Sequence, residues 1–308
     1  MNVIEVTNLT KKFNEKTILD GINFEVEKSE IFGFLGPNGA GKTTTLRILL
    51  GLLKPTSGRA LVFGKDLDDN DDSRRRVGVL LESDGLYERF SACENLKYFA
   101  QIYSVSGMEE KIKSLLDFVG LTDRQHDRVG EFSKGMKRRL ALARSLLNDP
   151  DVLFYDEPSS GLDPEAQKMV RDLILSLARE KGKTVFLNSH DLDEVQRVCS
   201  KIAILQRGKI KAYDTIENLG KFSRSAVEIA LADGVEASKA LDLLNSLDYV
   251  SECEREGLKI ATSVENEKIS VILSLLTKEG IRVEEVKKVK KSLEDIYLNI
   301  VRQSGEKT

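Results

Sequence analysis

The stretch Gly36-Pro37-Asn38-Gly39-Ala40-Gly41-Lys42-Thr43-Thr44 fits the pattern G-x-x-x-x-G-K-S/T, which is typical of a phosphate-binding loop. Its glycines have no Cβ, so the backbone turns sharply and comes close to a ligand. The amide groups of such a loop point inward and bind phosphate oxygens. Lys42 adds a positive charge at the β- and γ-phosphates, and Thr43 offers a hydroxyl to Mg²⁺. The stretch therefore predicts a phosphate site that includes Mg²⁺.

The sequence on either side of this loop supports the prediction. Residues 31–35 form a short apolar run typical of a buried strand, and residues 44–50 have the pattern of a helix. The N-terminal end of that helix would face the phosphates with its positive dipole. A strand before the loop and a helix after it favour a phosphate site over an ordinary glycine-rich turn.

Composition excludes several classes of protein. Of the 308 residues 31% are charged, yet the net charge is only −3, so no basic surface for nucleic acid is expected. The three cysteines are widely spaced and odd in number, which argues against a disulfide framework and for a reducing compartment. No apolar run approaches the roughly 18 residues that span a bilayer. We expect a soluble chain that acts on membranes only through a partner.

The order of strand and helix patterns along the sequence predicts an α/β protein with two domains. Residues 2–8 and 22–26 are expected to be edge strands, and residues 83–148 are mainly helical in pattern. Strands and helices then alternate again. From about residue 222 the order becomes β-α-β-β-α-β, which is the ferredoxin-like order, followed by a final helix. We therefore expect a domain at 1–221 and a smaller α+β domain at 222–308.

One helix of the middle region begins at Ser133 and carries a run of basic residues. Lys137, Arg138, Arg139 and Arg144 are expected to form its solvent-facing side. A nucleic-acid surface would interleave aromatic residues with these charges, and none are present here.

A second motif lies at residues 151–158, where an apolar strand ends in Asp156 and Glu157. Near a phosphate loop, the first carboxylate is placed to hold Mg²⁺, directly or through water. The second is placed to orient and deprotonate an attacking water. Alone, such a strand end would be interpreted as a pair of solvated acids. Downstream of a phosphate loop, the catalytic interpretation is favoured.

With both motifs in place, residues 2–216 resemble the ATPase subunits of ABC transporters, in order and in spacing. The chain is most similar to the drug and antibiotic exporter type. The resemblance implies a P-loop NTPase core of ABC type with an antiparallel β edge and a helical subdomain at about 83–148. It also implies ATP hydrolysis that powers transport, with export as the expected direction, and ATP and Mg²⁺ as cofactors.

The resemblance assigns roles to individual residues. Glu157 occupies the place of the catalytic glutamate and His190 that of the switch histidine. Phe13 stands where an aromatic residue stacks on adenine, residues 132–136 stand at the signature motif, and residues 160–163 resemble the D-loop. The implied ATP-binding set is Phe13, Gly36, Pro37, Asn38, Gly39, Ala40, Gly41, Lys42, Thr43, Thr44, Ser133, Gly135 and Asp163. The implied metal-binding set is Thr43, Glu82 and Asp156.

Two positions depart from the family pattern. The signature usually reads Leu-Ser-Gly-Gly-Gln, but here it reads Phe-Ser-Lys-Gly-Met, and of the usual residues only Ser133 and Gly135 remain. Ser133 still provides a donor and a helix cap, and Gly135 still permits a close approach to phosphate. Glu82 replaces the usual glutamine, so it brings a charge that attracts Mg²⁺ and repels phosphate.

A phosphate loop and a signature motif on one chain imply a head-to-tail homodimer or pseudo-dimer through the nucleotide sites. The resemblance further implies an integral membrane permease as partner, so the expected location is cytoplasmic and peripheral on the inner face of the cell membrane. We expect the permease contact within residues 83–95, where Leu86, Tyr87 and Phe90 are apolar in a polar loop. No nucleic-acid partner is expected.

Two alternatives remain at this point. A soluble ABC-type ATPase of DNA repair or translation would need a long coiled-coil insertion or a second cassette, and the sequence contains neither. A small-molecule kinase would need no signature motif and would require an acceptor. ATP hydrolysis without any acceptor would separate the ATPase from the kinase.

Overall fold

A computed structural model describes residues 1–67, 71–222, 225–264, 268–289 and 292–303. The chain forms two compact units, Met1–Thr215 and Ile216–Thr308. The boundary lies at 215/216 rather than at the expected 221/222. The reason is the short helix α8 (Ile216–Phe222), which packs against the last helix, α11 (Leu293–Gln303), of the second unit.

The first unit alternates strands and helices around a helical middle region. The predicted edge strands are longer than expected and form one hairpin, and a further edge strand follows residue 208. The elements are β1 (Asn2–Phe13), β2 (Lys16–Glu27), β3 (Ile31–Leu35), α1 (Lys42–Leu49), β4 (Ser57–Val62), α2 (Asp71–Arg75), β5 (Val77–Leu80), α3 (Ala92–Ile102), α4 (Met108–Phe118), α5 (Lys134–Ser145), β6 (Val152–Asp156), α6 (Pro164–Arg179), β7 (Thr184–Ser189), α7 (Leu192–Val198), β8 (Lys201–Gln206) and β9 (Lys209–Thr215).

Two sheets organise this unit. The larger has the order β5-β6-β7-β3-β8-β9 and is parallel except for the pair β8 and β9. The smaller, β2-β1-β4, is antiparallel. In the larger sheet β7 lies between β3, which precedes the phosphate loop, and β6, which ends in the two carboxylates. The carboxyl ends of all three strands therefore lie at one edge, where open α/β sheets bind ligands.

The core between the two sheets is rich in phenylalanine. Strands β3, β6 and β7 are buried at every position, as expected for parallel strands covered on both faces. Phe24 of β2 stacks on Phe32 at 5.5 Å and lies 5.2 Å from Phe34. Phe186 of β7 lies 5.6 Å from Phe32 and 5.5 Å from Phe154. These rings pack the antiparallel sheet against one face of the larger sheet. The contact lies away from the edge where the three carboxyl ends meet.

Serine side chains cap two helices of the middle region. Ser91 caps α3, accepting a hydrogen bond from the Glu94 amide at 3.1 Å while its own amide donates to the Glu94 carboxylate at 2.8 Å. Ser133 caps α5 by accepting from the Met136 amide at 3.2 Å. Such caps satisfy amides that the first helical turn leaves unpaired. The predicted helical character of residues 83–148 is confirmed by α3, α4 and α5.

The prediction that the four basic residues of α5 face solvent is wrong. Lys137 pairs with Glu88 at 2.7 Å, and Arg138 is only 5% exposed. Arg139 donates to the Val119 carbonyl at 2.8 Å, and Arg144 donates to the Gly85 carbonyl at 2.8 Å. Helix ends and loops around α5 leave carbonyls without backbone partners, and these long side chains satisfy them.

The second unit confirms the predicted β-α-β-β-α-β order. Its antiparallel sheet has the strand order β11-β12-β10-β13, and its core is formed by residues such as Ile229, Ile260 and Leu276. Besides α8 and α11, the elements are β10 (Ser225–Leu231), α9 (Gly234–Asn245), β11 (Val250–Glu256), β12 (Lys259–Val264), α10 (Ile269–Lys278) and β13 (Val283–Val289).

Because each unit has its own apolar core, residues 1–215 alone should fold and bind Mg-ATP, with a Kd within about threefold of that of the full chain. Calorimetric unfolding and titration with Mg-ATP measure both properties. A second truncation at residue 222 retains α8 without its partner α11, so it should be no more stable than the shorter form. Insolubility of both forms, or loss of ATP binding, would contradict the separation of the units.

Candidate active site

The phosphate loop runs from the end of β3 to the start of α1, and its shape depends on two glycines. A Cβ on Gly36 would overlap the Leu205 carbonyl oxygen. Gly41 has φ 115°, a backbone conformation that residues with a side chain rarely adopt. A Cβ there would lie 2.6 Å from Leu19. The backbone therefore approaches its neighbours as only glycine allows, and the loop delivers Lys42 at the first position of α1.

Lys42 is buried at the centre of the loop, with 7% of its surface exposed. Its Nζ donates to the Gly36 carbonyl at 2.6 Å and lies 3.9 Å from Glu157 Oε1. Burial lowers the pKa of Lys42, while the charges of Glu157 and Asp156 oppose that shift. The ammonium is thus held inside the curved loop, where phosphate oxygens would meet it.

Asp156 ends β6 as a buried carboxylate. Burial raises its pKa, and repulsion from Glu157 and Glu82 adds to the rise. A hydrogen bond of 3.1 Å from the Asn188 side chain and the charge of Lys42 act in the opposite direction. The charges of two other carboxylates therefore act on Asp156, an arrangement that favours binding of a cation.

Glu157 follows Asp156 with φ 50°, an uncommon conformation for a residue other than glycine. Its amide donates to the Asn188 carbonyl at 2.9 Å, which ties the turn to β7. Its Oε1 lies 2.9 Å from His190 Nδ1 as well as 3.9 Å from Lys42. The carboxylate of Glu157 is therefore placed between a phosphate-binding cation and an imidazole. Strained backbone of this kind occurs preferentially at functional sites.

The residues present fit Mg²⁺ held jointly with phosphate. Within the described ranges, no group of three or more His, Cys, Asp or Glu residues could hold a metal ion by itself. Mg²⁺ is usually bound by one or two carboxylates together with substrate phosphates and water. Asp156 supplies a carboxylate, Thr43 an exposed hydroxyl, and the buried Oδ1 of Asn188 lacks a protein partner. The donor set is therefore the oxygen set that Mg²⁺ prefers.

The signature and D-loop residues make different contacts. Ser133 is exposed at the N-terminus of α5, and a Cβ on Gly135 would lie 2.7 Å from Ala166 of α6. Asp163 caps α6 by accepting from the Ala166 amide at 2.9 Å. These residues contact the ends of α5 and α6 rather than Lys42 or Glu157. One chain thus brings together the phosphate loop, Asp156, Glu157 and His190, while Ser133 remains open to solvent.

Phe13 lies at the closed end of the hairpin formed by β1 and β2. It is 47% exposed, and Lys11 Nζ lies 4.9 Å from the centre of its ring. Further along the same hairpin, Leu19 packs beside Gly41 of the phosphate loop. The hairpin therefore flanks the loop and presents an exposed aromatic ring.

Sequence reasoning missed Asn188 and Glu194. Asn188 binds the Asp156 side chain and also accepts from the Glu157 amide through its carbonyl. The buried carboxyl of Glu194 accepts from the Ser159 and Ser189 hydroxyls, which connects the loop after Glu157 to the strand end before His190. Burial raises the pKa of Glu194. Asn188 could have been found from the sequence, because it is a polar residue near the end of an apolar strand. No local sequence pattern indicates the role of Glu194.

None of the helices in the described part of the chain is sufficiently long and apolar to cross a membrane.

The strand, loop and helix around Lys42, together with the carboxylates that end a neighbouring parallel strand, define a phosphate-loop nucleoside triphosphatase. Residues 19–160 match the family described as ABC transporter. The bacitracin transport ATP-binding protein BcrA of Bacillus licheniformis is 36% identical over 301 residues, covering 97% of each chain. The chain belongs to the ABC transporter ATP-binding family. It is an ATP-binding and ATP-hydrolysing subunit of an ABC transporter.

Further similarities agree with this assignment. The fluoroquinolones export ATP-binding protein of Mycobacterium tuberculosis is 41% identical over 226 residues, or 72% of this chain and 74% of that protein. A solved ATP-binding cassette, dimeric in a post-hydrolysis state with ADP and phosphate, superimposes with a TM-score of 0.62 at 26% identity. It covers 69% of this chain and 98% of its own. These matches favour the transporter interpretation over a non-transport ATPase.

Glu82→Gln should keep ATP hydrolysis within about tenfold of wild type, or roughly 1.4 kcal/mol in barrier height. The amide keeps an oxygen atom at this position and removes a charge that acts on Asp156. Steady-state hydrolysis at varied Mg²⁺ concentration measures the effect, with Glu82→Ala as the comparison that lacks the oxygen. A loss far beyond tenfold in the glutamine variant would mean that the carboxylate itself is required.

Proposed function

We propose that Glu157 and His190 catalyse ATP hydrolysis at this site, and that the reaction powers export through a separate membrane permease. The observation that carries the proposal is the position of the Glu157 carboxylate, 2.9 Å from His190 and 3.9 Å from Lys42. A general base must stand within hydrogen-bonding reach of the nucleophile while the phosphate is held by positive charge. The proximity of the Glu157 carboxylate to Lys42 and His190 supports its assignment as the base.

In this reaction Glu157 accepts a proton from water as the water oxygen bonds to the γ-phosphorus. The bond between that phosphorus and the β,γ-bridging oxygen breaks, and ADP and phosphate are released. His190 orients the carboxylate through Nδ1, and Lys42 stabilises negative charge on the β- and γ-phosphates. Bound Mg²⁺ supplies charge neutralisation of the phosphate oxygens. Thr43, Asp156 and Glu82 are the residues proposed to hold it.

The remaining ATP contacts follow the loop and the hairpin. Backbone N–H groups of residues 38–44 cradle the phosphates, and the dipole of α1 adds to their attraction. Phe13 offers a half-exposed ring for stacking on adenine, and neighbouring Lys11 increases the positive charge near the nucleotide. Phe13 therefore contributes to base binding but not to the chemistry.

A second subunit completes the site. Ser133 is exposed at the N-terminus of a helix, and Gly135 allows close approach, so both suit the phosphate of an ATP bound elsewhere. The contacts of Ser133 and Asp163 within their own chain lie away from Lys42. The structural neighbour bound to ADP and phosphate is dimeric, which supports the pairing of two subunits. ATP would then join the two subunits, and hydrolysis would release them.

The permease contact is proposed on an aromatic surface of the helical region. Tyr87 and Phe90 are 45% and 38% exposed, and their rings are 5.4 Å apart. The ring of Tyr98 lies 4.9 Å from that of Tyr87. A groove of about 1000 Å³, lined by Leu81, Phe99 and others, adjoins this cluster. Exposed apolar patches of this type mark contacts with other proteins.

Export, rather than import, is the proposed direction. The M. tuberculosis relative is named for export of fluoroquinolones, and the B. licheniformis relative for transport of bacitracin. The B. licheniformis protein matches along nearly its whole length, which supports the proposal that residues 216–308 are an accessory domain common to the two chains. The subunit would lie on the cytoplasmic face of the membrane, bound to its permease.

Glu157→Gln and Lys42→Ala should separate catalysis from binding. The glutamine preserves size and shape but cannot accept the proton, so hydrolysis should fall at least about 10²-fold while ATP still binds. A dimer with trapped ATP should then accumulate. Lys42→Ala removes the charge at the phosphates, so both ATP binding and dimer formation should fail.

Size-exclusion chromatography with and without Mg-ATP, together with phosphate release, measures these outcomes. Wild-type protein without nucleotide is the monomeric control. Hydrolysis near the wild-type rate in Glu157→Gln would overturn the catalytic assignment. A Glu157→Gln protein that is inactive but monomeric with ATP bound would mean that closure requires the permease.

Replacement of both Tyr87 and Phe90 by Ser should weaken co-purification of the permease from solubilised membranes, because the apolar contact is lost. ATP binding should be unchanged, since neither residue contacts the phosphate loop. A matched control replaces Val235 and Leu258, which are 81% and 45% exposed on the second unit, by Ser. Equal permease recovery with both double variants would place the contact elsewhere.

A further inference from the structure

Arg138 lies on α5 but binds the turn that carries Glu157. Its Nε donates to the Pro158 carbonyl at 2.7 Å, and its Nη2 donates to the Asp156 carbonyl at 3.0 Å and the Glu157 carbonyl at 2.6 Å. Three successive carbonyl oxygens thus converge on one guanidinium. The side chain is only 6% exposed, so water offers these carbonyls little compensation if the arginine is lost.

The opposite edge of the same guanidinium holds the loop that follows β5. Its Nη1 donates to the Leu81 carbonyl at 2.7 Å and to Asp84 Oδ1 at 2.9 Å, with a longer contact of 3.5 Å to the Glu82 carbonyl. This loop carries Glu82, whose charge acts on Asp156. A planar group with five N–H donors is suited to joining two such segments, whereas a lysine ammonium concentrates its donors on one atom.

The turn at Glu157 needs support of this kind. Glu157 has φ 50°, and a strained conformation persists only where the surrounding structure holds it. Its amide is held by the Asn188 carbonyl, and its carbonyl by Arg138. The two hydrogen bonds act on opposite ends of one residue and together set the direction from which its carboxylate reaches His190.

Arg138 also connects this turn to the helix that begins at Ser133. Ser133 caps α5, and Arg138 follows it by five positions along the same rigid helix. Ser133 and Gly135 are the residues proposed to contact ATP on the second subunit. A movement of α5 on closure would therefore act directly on the carbonyls of Asp156 and Glu157.

We propose that Arg138 is a positioning residue that couples the place of α5 to the orientation of Glu157, so that hydrolysis depends on closure of the dimer. The inference rests on the proposed catalytic role of Glu157. Asp84 serves as the charged partner that orients the guanidinium between the two loops. Arg138 itself contacts neither ATP nor the attacking water.

Arg138→Lys and Arg138→Gln should each reduce kcat by about 10²-fold, the effect of a misplacement of roughly 1 Å at the reacting centre. The KM for ATP should stay within about threefold, because the phosphate loop is untouched. Arg139→Gln is the matched control: it removes the next arginine, which donates to the Val119 and Gly120 carbonyls. That variant should keep kcat within about threefold of wild type.

A double variant distinguishes positioning from general damage. If Arg138 acts through Glu157, then Arg138→Lys added to Glu157→Gln should not reduce the residual single-turnover rate further. A further loss as large as in the single variant would overturn the inference. So would a kcat for Arg138→Gln within about threefold of wild type, or equal losses in Arg138→Gln and Arg139→Gln.

Asp84→Asn provides a milder test should the Arg138 variants fail to fold. It retains the oxygen that accepts from Nη1 and removes the charge, so kcat should fall about three- to tenfold at constant KM. An unchanged kcat there would count against the inference. Full activity of Glu157→Gln alone would instead overturn the proposed function, so the two failures are distinguishable.

Discussion

Parallel pairing of β6, β7 and β3 is the constraint on which the active site depends. Asp156 pairs with Asn188 in adjacent strands, and Leu35 pairs with Ser189. This register brings the phosphate loop, the two carboxylates and His190 to one edge of the sheet. Side chains alternate between faces along a strand, so a slip of one residue would turn Asp156 and Asn188 away from each other. The phenylalanine core behind the edge opposes such a slip.

The electrostatic properties of the site follow from burial at that edge. Lys42 and Asp156 are both removed from water, which lowers the pKa of the lysine and raises that of the aspartate. Each charged form is supported by the other. Buried charges interact more strongly than solvated ones, so these two groups supply preorganised charge for the proposed binding of phosphate and Mg²⁺. Asn188 adds orientation through its hydrogen bond to Asp156.

The helical region connects the catalytic edge to outer surfaces through α5. Arg138 reaches the Glu157 turn, Arg144 reaches Gly85, and Lys137 reaches Glu88. The loop from residue 81 to residue 90 is therefore held by α5 at several points, and the same loop carries the aromatic surface proposed for the permease. The surface proposed for the permease, the signature motif and the turn at Glu157 are therefore all supported by one helix, α5.

Local sequence was sufficient for the phosphate loop, the strand that ends in Asp156 and Glu157, the cap at Ser133, and the β-α-β-β-α-β order of the second unit. Each depends on residues a few positions apart, whose interactions exist in any fold that contains them. Tertiary structure alone decided that β7 separates β3 from β6, that α8 belongs to the second unit, and that Arg138 is buried against three carbonyls. These facts depend on segments distant in sequence, and a basic residue on a helix has the same local pattern whether it meets solvent or a buried turn.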